Sequence, residues 1–308
     1  MSRMTLRPYA SGDAPAHGSV PVSAIVLALN EEPNIGRCLS SLSWADQLLV
    51  VDSGSCDNTV PIAAALGAEI VHQPWLGYSG QREFALGLPQ LRHNWVYFLD
   101  ADEWVSPELA AEISTQLVAP AHAAFAQRFR LIFQGTWIRH CGWYRSSSIV
   151  RLVDRRYTTF NGEPVGERAC IDGLVGQLRN DIVDEDLKGL AAWLRKHVGY
   201  AQLHAERRGT ARSLPDRLRR IRERDAADTR PLLRQFLRDV VFPSLPARPV
   251  LLFCYQYILK FGVLDGSAGL RFCFYRAWYE ATIIALQKDS ERHRLGSVSE
   301  LRRDGVFQ

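Results

Sequence analysis

Tyr97-Phe98-Leu99-Asp100-Ala101-Asp102-Glu103 decides how the rest of the chain is read. An apolar run, Trp95 to Leu99, leads straight into two acids at i and i+2. The run is short, aromatic and not alternating, which predicts a parallel strand buried on both faces. An unpaired buried carboxylate is costly, so acids at the end of such a strand need a reason. At the mouth of an α/β sheet they can hold a hard divalent cation and, through it, a diphosphate. The alternative is a solvated strand end, with Asp102 or Glu103 capping the helix that opens near Ser106-Pro107.

Upstream, the same pattern recurs. Val22 to Leu29 is a continuous apolar run ending in Asn30-Glu31-Glu32-Pro33-Asn34, and a helix with Ile35, Leu39 and Leu42 follows, ending near Trp44. Gln47 to Val51 is the next strand, ending in Asp52-Ser53-Gly54-Ser55-Cys56-Asp57-Asn58-Thr59. Small turn-forming residues after a strand let backbone approach a ligand closely. Asp57 and Thr59 cap a helix, Val60 to Leu66, that closes at Gly67; Ala68 to His72 is a third strand. Strands alternating with helices predict a parallel sheet with right-handed crossovers. Both the G-x-G-x-x-G fingerprint and the G-x-x-x-x-G-K loop are missing, which argues against hydride transfer and kinase chemistry. Arg82, in the first turn of a helix from Ser79 to Leu86, works against the helix dipole. It faces either an anion such as a phosphate or its neighbour Glu83.

The chain has 308 residues, 47% hydrophobic and 23% charged, with a formal net charge of +4. That is globular material with a sizeable core. Its six cysteines form no C-x-x-C, which argues against a zinc or redox pair and fits a reducing compartment. Residues 1–20 read as a disordered lead and not a signal peptide. The longest apolar run, Val250 to Leu264, is interrupted by Gln256 and Lys260 and is too short for a membrane span.

The order strand–Asn30-Glu31-Glu32, strand–Asp52-Ser-Gly-Ser-x-Asp57-x-Thr59, Gly80-Gln81-Arg82, strand–Asp100-x-Asp102-Glu103 resembles glycosyltransferase family 2. Within that family, Thr136 to Tyr144, Ile149-Val150-Arg151-Leu152, Glu163 to Glu167 and Asp172-Gly173-x-x-Gly176 resemble the lipopolysaccharide-core and exopolysaccharide sugar transferases. The resemblance implies a GT-A domain over residues 21–190. This is an α/β fold with a mixed, mainly parallel sheet flanked by helices, followed by a helical region over 191–308. It implies inverting transfer from a nucleotide-sugar, UDP-linked, with Mg²⁺ or Mn²⁺. Asp52 would bind the nucleobase beside Asn30 and Glu31. Arg82 would approach the nucleotide, Asp100 the ribose, and Asp102 the metal on the diphosphate.

Inversion needs a base opposite the leaving group, and a carboxylate serves. Glu167 is the first candidate, because it falls where the family branch has a His-Glu pair; here Gly166 replaces the histidine. Asp184-Glu185-Asp186 is the second, the alternative being an acid cluster ahead of a helix over Leu187 to Val198. Trp137, Arg139, His140, Trp143, Tyr144 and Arg145 suit sugar rings and diphosphate, or else simply pack as a loop. Arg139 and Arg145 are the donor-binding candidates among them.

From Trp193 the pattern turns helical, and eleven arginines lie between Arg207 and Arg238, interleaved with Leu, Ile and Phe. Such a stretch can lie on an anionic membrane or be a solvated face. Two further helices are expected over Leu251 to Leu264 and Leu270 to Leu286. No nucleic-acid motif accompanies the arginines, so nucleic acid is not an expected partner. The expected partners are a nucleotide-sugar, a lipid-linked or oligosaccharide acceptor and an anionic bilayer, with a homo-oligomer left open. The expected place is the cytoplasmic face of the inner membrane. Two rivals remain: a sugar nucleotidyltransferase, disfavoured by Asn30-Glu31-Glu32 where a glycine-rich basic loop is needed, and a non-catalytic scaffold of the same fold.

Overall fold

A computed structural model describes residues 20–144, 148–161, 168–210, 242, 245 and 247–303. They fall into two compact units. One comprises the described residues up to 139 and 143–189; the other holds 140–142 and those from 190 onward.

The first unit opens with β1 (Val20–Ala28), α1 (Glu32–Ser40), β2 (Ala45–Asp52), α2 (Thr59–Ala65), β3 (Glu69–His72), α3 (Tyr78–Leu86) and β4 (Trp95–Asp100). These are the alternating elements expected, and β1 pairs in parallel with both β2 and β4. There follow β5 (Glu103–Val105), α4 (Pro107–Val118), β6 (Ala124–Gln127), β7 (Phe129–Phe133) and β8 (Thr136–Trp137). Then come β9 (Ile149–Asp154), β10 (Thr158–Asn161), β11 (Arg168–Ile171), β12 (Val175–Gln177) and β13 (Ile182–Asp184). The main sheet has seven strands in the order β12-β6-β9-β4-β1-β2-β3, and β9 runs antiparallel to β4 and β6. Mixed but mainly parallel, it is the sheet the sequence implied. A second sheet, β5-β13-β7-β8, grows directly out of the acidic end of β4.

β1 is buried on both faces because its side chains feed two cores. Val22, Ala24 and Val26 pack with Ile35 and Leu39 of α1 and Leu109 of α4. Ile25 points the other way, to Phe98 of β4 and Ala85 of α3. Each such large side chain contributes about 1.5–3 kcal/mol on burial. Helix α1 stops at Ser40, short of Trp44, because the Ser41 hydroxyl donates to the Cys38 carbonyl and accepts from the Val105 amide. Helix α4 is capped by Ser106, whose Oγ accepts from the Leu109 amide, and not by Asp102 or Glu103.

The second unit contains α5 (Gly189–Thr210), α6 (Arg248–Cys254) and α7 (Gly266–Arg303). Ala201 and Ala205 of α5 pack on Ile283 of α7. The single helix expected over 251–264 is broken. After α6 come a π-helical turn, Tyr255–Leu259, and a 3-10 turn, Gly262–Asp265, joined through Phe261 at φ +58°. The reason is close approach: a Cβ on Gly262 would lie 2.8 Å from both Cys141 Cβ and the Gln256 carbonyl. No helix among the described residues is long and apolar enough to cross a membrane. The arginine run lies almost wholly outside the described residues.

Candidate functional site

Two acids reach one end of the main sheet on either side of β1. Ala28 pairs with Asp52 and Leu27 with Asp100. Two strand spacings put the acids roughly 10 Å apart.

Asp52 is 1% exposed. Its carboxylate accepts from the Gly54 amide at 3.0 Å, the Ser55 amide at 3.1 Å and the Ser55 hydroxyl at 2.5 Å. His72 Nδ1 lies 3.4 Å from it. Both oxygens offered to a nucleobase in the sequence reading are thus engaged in shaping the loop. That loop is laced to the one after β1. The Asn30 amide donates to Ser55 Oγ at 2.9 Å, and Asn30 Oδ1 accepts from the Cys56 amide at 2.8 Å. The Glu31 amide donates to Thr59 Oγ1 at 2.7 Å, and Asp57 accepts from the Glu32 amide at 3.2 Å. Asn30 sits at φ +53°, a conformation Asn tolerates better than most residues.

Asp100 is held differently. Arg82 Nη2 donates to it at 2.8 Å and Arg151 Nη2 at 2.5 Å. Arg82 is only 2% exposed, so it is no surface arginine; Glu83 instead accepts from the Phe160 amide at 2.6 Å. Arg151, from β9, also donates to Glu103 at 2.7 Å, and Glu103 accepts from the Asp100 amide at 3.0 Å. Burial raises the Glu103 carboxyl to about 7; Asp100 and Asp102 push the same way, and Arg151 opposes them.

Half-buried Asp102 lies between this cluster and a third group. Its carbonyl accepts from the Glu185 amide at 2.9 Å, and Asp184 pairs with Glu103 across β13 and β5. The Asp184–Asp186 segment is therefore beside the strand tip. Within it, Glu185 accepts from Arg37 at 2.5 Å and Asp186 from Asn34 at 3.0 Å. Lys188 donates to Glu31 at 2.6 Å. The Glu31 carboxyl is raised, by burial first, with Lys188 and Asn34 opposing and Asp102 adding.

On the second sheet, Arg130 and Arg139 stack over the Trp137 ring, at 5.1 and 5.2 Å. Tyr144 meets Trp137 edge-on and donates to Asp181, which also accepts from Arg130 at 2.8 Å. Of the aromatic-cationic stretch, Trp137, Arg139 and Tyr144 thus pack together on this sheet. His140 belongs to the other unit, where its ring lies 2.7 Å from Asp265. Glu167 and Arg145 lie outside the described residues.

Asn30, Glu31, Asp52, Arg82, Asp100, Asp102, Asp184 and Glu185 thus share one end of the first unit. The sequence reading missed roles for Arg37, Lys188, Gln81 and Arg151. Gln81 bridges Ser53 and the Gln73 carbonyl, at 3.0 and 3.1 Å. Arg151 carried a signal, since it interrupts the apolar strand Ile149-Val150-Arg151-Leu152-Val153.

Near Asp102, Arg82 and Arg151 hold Asp100 and Glu103, and Lys188 holds Glu31. The hard carboxylate oxygens of these acids fit the chemistry of Mg²⁺ or Mn²⁺. Among the described residues no three His, Cys, Asp or Glu side chains gather on one cation position.

A model of the family described as Glycosyl transferase family 2 matches residues 23–176, half of the chain. An uncharacterized glycosyltransferase of Rickettsia bellii (strain RML369-C) is 45% identical over 93 residues, 30% of this chain and 31% of that protein. The lipopolysaccharide core biosynthesis glycosyltransferase LpsC of Rhizobium meliloti (strain 1021) is 31% identical over 169 residues, 52% of this chain and 61% of that protein. The match thus spans under a third of the Rickettsia protein's length. Among solved structures, glucosyl-3-phosphoglycerate synthase from Mycobacterium tuberculosis aligns at 26% identity over 36% of this chain and 44% of that one, with a TM-score of 0.32.

Proposed function

Because the chain belongs to glycosyltransferase family 2, we propose that it moves a sugar, with inversion, from a UDP-linked donor to a glycan acceptor on a lipid carrier. The fold is GT-A-like. The product would be a bacterial surface polysaccharide, and similarity to LpsC favours the lipopolysaccharide core over an exopolysaccharide. The observation that carries the reading is the convergence of Asp52 and the Asp100-Ala101-Asp102 tip on either side of the end of β1.

In this reading the laced loops after β1 and β2 receive the nucleoside. Asp52 keeps the Ser53–Ser55 backbone open towards the base, and Asn30 and Glu31 border it. Asp100, fixed by Arg82 and Arg151, faces the ribose. Asp102 would hold the divalent cation, which supplies Lewis-acid stabilisation of the charge growing on the departing diphosphate. Trp137, Arg139 and Arg145 would line the sugar and phosphate side. A carboxylate opposite the leaving group takes the proton of the acceptor hydroxyl as that oxygen bonds to the anomeric carbon. Glu167 is the first choice for this base. Glu185 and Asp186 are engaged with Arg37 and Asn34, which supports Glu167 over the Asp184–Asp186 segment. The acceptor's lipid would keep the protein on the cytoplasmic face of an anionic bilayer.

The test is an assay of nucleotide release from a panel of nucleotide-sugars, with Mg²⁺ or Mn²⁺ and a lipid-linked acceptor. Acceptor-dependent release from one donor is expected. A protein that binds UDP yet releases none with any donor would be a scaffold.

A further inference from the structure

The turns that follow α6 are built inside out. Between Tyr255 and Asp265 the polar side chains point inward, onto residues 140–142 of the same unit. Gln256 Nε2 donates to the Cys141 carbonyl at 3.5 Å, and Lys260 Nζ to the Gly142 carbonyl at 2.9 Å. Asp265, 7% exposed, accepts from the amides of His140 and Cys141 at 2.9 and 3.0 Å. The apolar side chains go the other way. Ile258 is 60% exposed, Leu259 69% and Leu264 60%, and Tyr255, Phe261 and Val263 are each at least half exposed. Leu270 and Phe274 extend the face onto α7.

A soluble surface scatters such residues singly; a contiguous set of this size marks something that covers it. Two further observations say what. The backbone at the tip is satisfied internally. The Lys260 amide bonds to the Tyr255 carbonyl, Phe261 to Ile258 and Leu264 to Phe261, at 2.9, 3.1 and 2.9 Å. Entry into hydrocarbon requires that closure, since an unpaired peptide group there is costly. The charge is also one-sided. Asp265 is the only acid from 248 to 274, and it is buried, whereas Arg271 is exposed. Between 207 and 247, ahead of α6, the sequence carries eleven arginines against five acids, Asp216, Glu223, Asp225, Asp228 and Asp239. An apolar face whose described charged company is an exposed arginine and a buried acid, with an arginine-rich run ahead of it in sequence, matches the chemistry of an anionic bilayer surface.

We propose that the 255–264 turns, with the start of α7, form a membrane-docking surface that enters the acyl boundary of an anionic bilayer. This rests on the membrane half of the function proposed above and is independent of its chemistry. Exposed Arg271 adds attraction to headgroups, but the apolar tip does the inserting.

The test uses the full chain and flotation with vesicles of phosphatidylcholine alone or with phosphatidylglycerol. The protein should float with the anionic vesicles and persist in part at high salt. The double variant Leu259→Glu/Leu264→Glu should keep its circular dichroism and melting temperature and lose binding by about tenfold or more. A Leu259→Trp variant should shift its emission to the blue on binding and be quenched by brominated acyl chains. Failure of the wild type to float, or equal flotation of the double variant, overturns the proposal. So does conversion of a dimer to a monomer by the same substitutions with flotation unchanged, which would make the face a contact between copies. Nucleotide release with a soluble acceptor reports on the chemistry separately: loss of flotation with release retained supports docking, whereas absent release with docking intact removes only the enzymatic reading.

Discussion

At the strand tips of the first unit, charged side chains from β4, β5, β9 and α3 turn towards one another. In the 255–265 turns of the second, the polar side chains turn in and the apolar ones turn out. Asp100 and Asp265 show the contrast in a single residue type. Asp100 is gripped by two guanidinium groups, and its carboxylate is 39% exposed. Asp265 is spent on the backbone amides of His140 and Cys141, and its side chain is 2% exposed. Charge gathered at an opening suits an ionic, water-borne ligand; charge withdrawn from a surface suits an apolar neighbour. Burial pattern, more than composition, separates the two.

The contrast breaks most sharply at Asp102. Asp102→Ala should reduce sugar-dependent nucleotide release to background, with the fold intact by circular dichroism. Full activity would remove the cation from the reading of these tips. Next, Glu167→Gln should cut turnover by about 10²–10⁴-fold at unchanged donor affinity. The same loss in Asp184→Asn, with Glu167→Gln silent, would move the base to the segment beside Asp102. Third, Arg151→Met should destabilise the protein by about 3–5 kcal/mol in urea unfolding, because it leaves Glu103 and Asp100 short of a buried cation. A cost below about 1 kcal/mol would show that the tips hold without their guanidinium clamp.

The smallest effect is expected in the second unit. His197 stacks on Trp193, with ring centroids 3.5 Å apart, and its Nδ1 lies 2.8 Å from the Trp193 carbonyl. Burial lowers its proton affinity; the Trp193 carbonyl opposes this, and Arg276 and Lys196 reinforce it. In the unfolded chain the ring takes its proton near pH 6.5. Its stabilising contribution is therefore full above that pH and is lost as pH falls through the lower folded value. Melting temperatures from pH 8 to 5 should fall further for the wild type than for His197→Gln. Parallel profiles would mean that the ring is not held neutral.

How much of this could be read beforehand follows the range of the interactions. The strands β1, β2 and β4 were legible, because unbroken apolar runs mean burial on both faces. The Asp52 loop was legible as a turn, since Asp52 bonds residues two and three positions on. Arg151 was not assignable: its partners are 51 and 48 residues away, and nothing in Ile149-Val150-Arg151-Leu152 names them. Arg82 was read as facing a phosphate or Glu83; in the structure it meets Asp100, 18 residues further on, a partner its own stretch does not name. The break in the 251–264 helix was also hidden. Gly262 looks like an ordinary flexible residue until Cys141, from a distant stretch, packs against it.

The lacing of the loops after β1 and β2 bears on how this domain can be altered. Asn30, Glu31 and Glu32 on one loop answer to Ser55, Cys56, Thr59 and Asp57 on the other. Transplanting either loop alone from a relative would strand donors and acceptors on its host partner. The two strand-end loops form one exchangeable cassette, inherited or engineered together, and substitutions in one should be tolerated only when matched in the other.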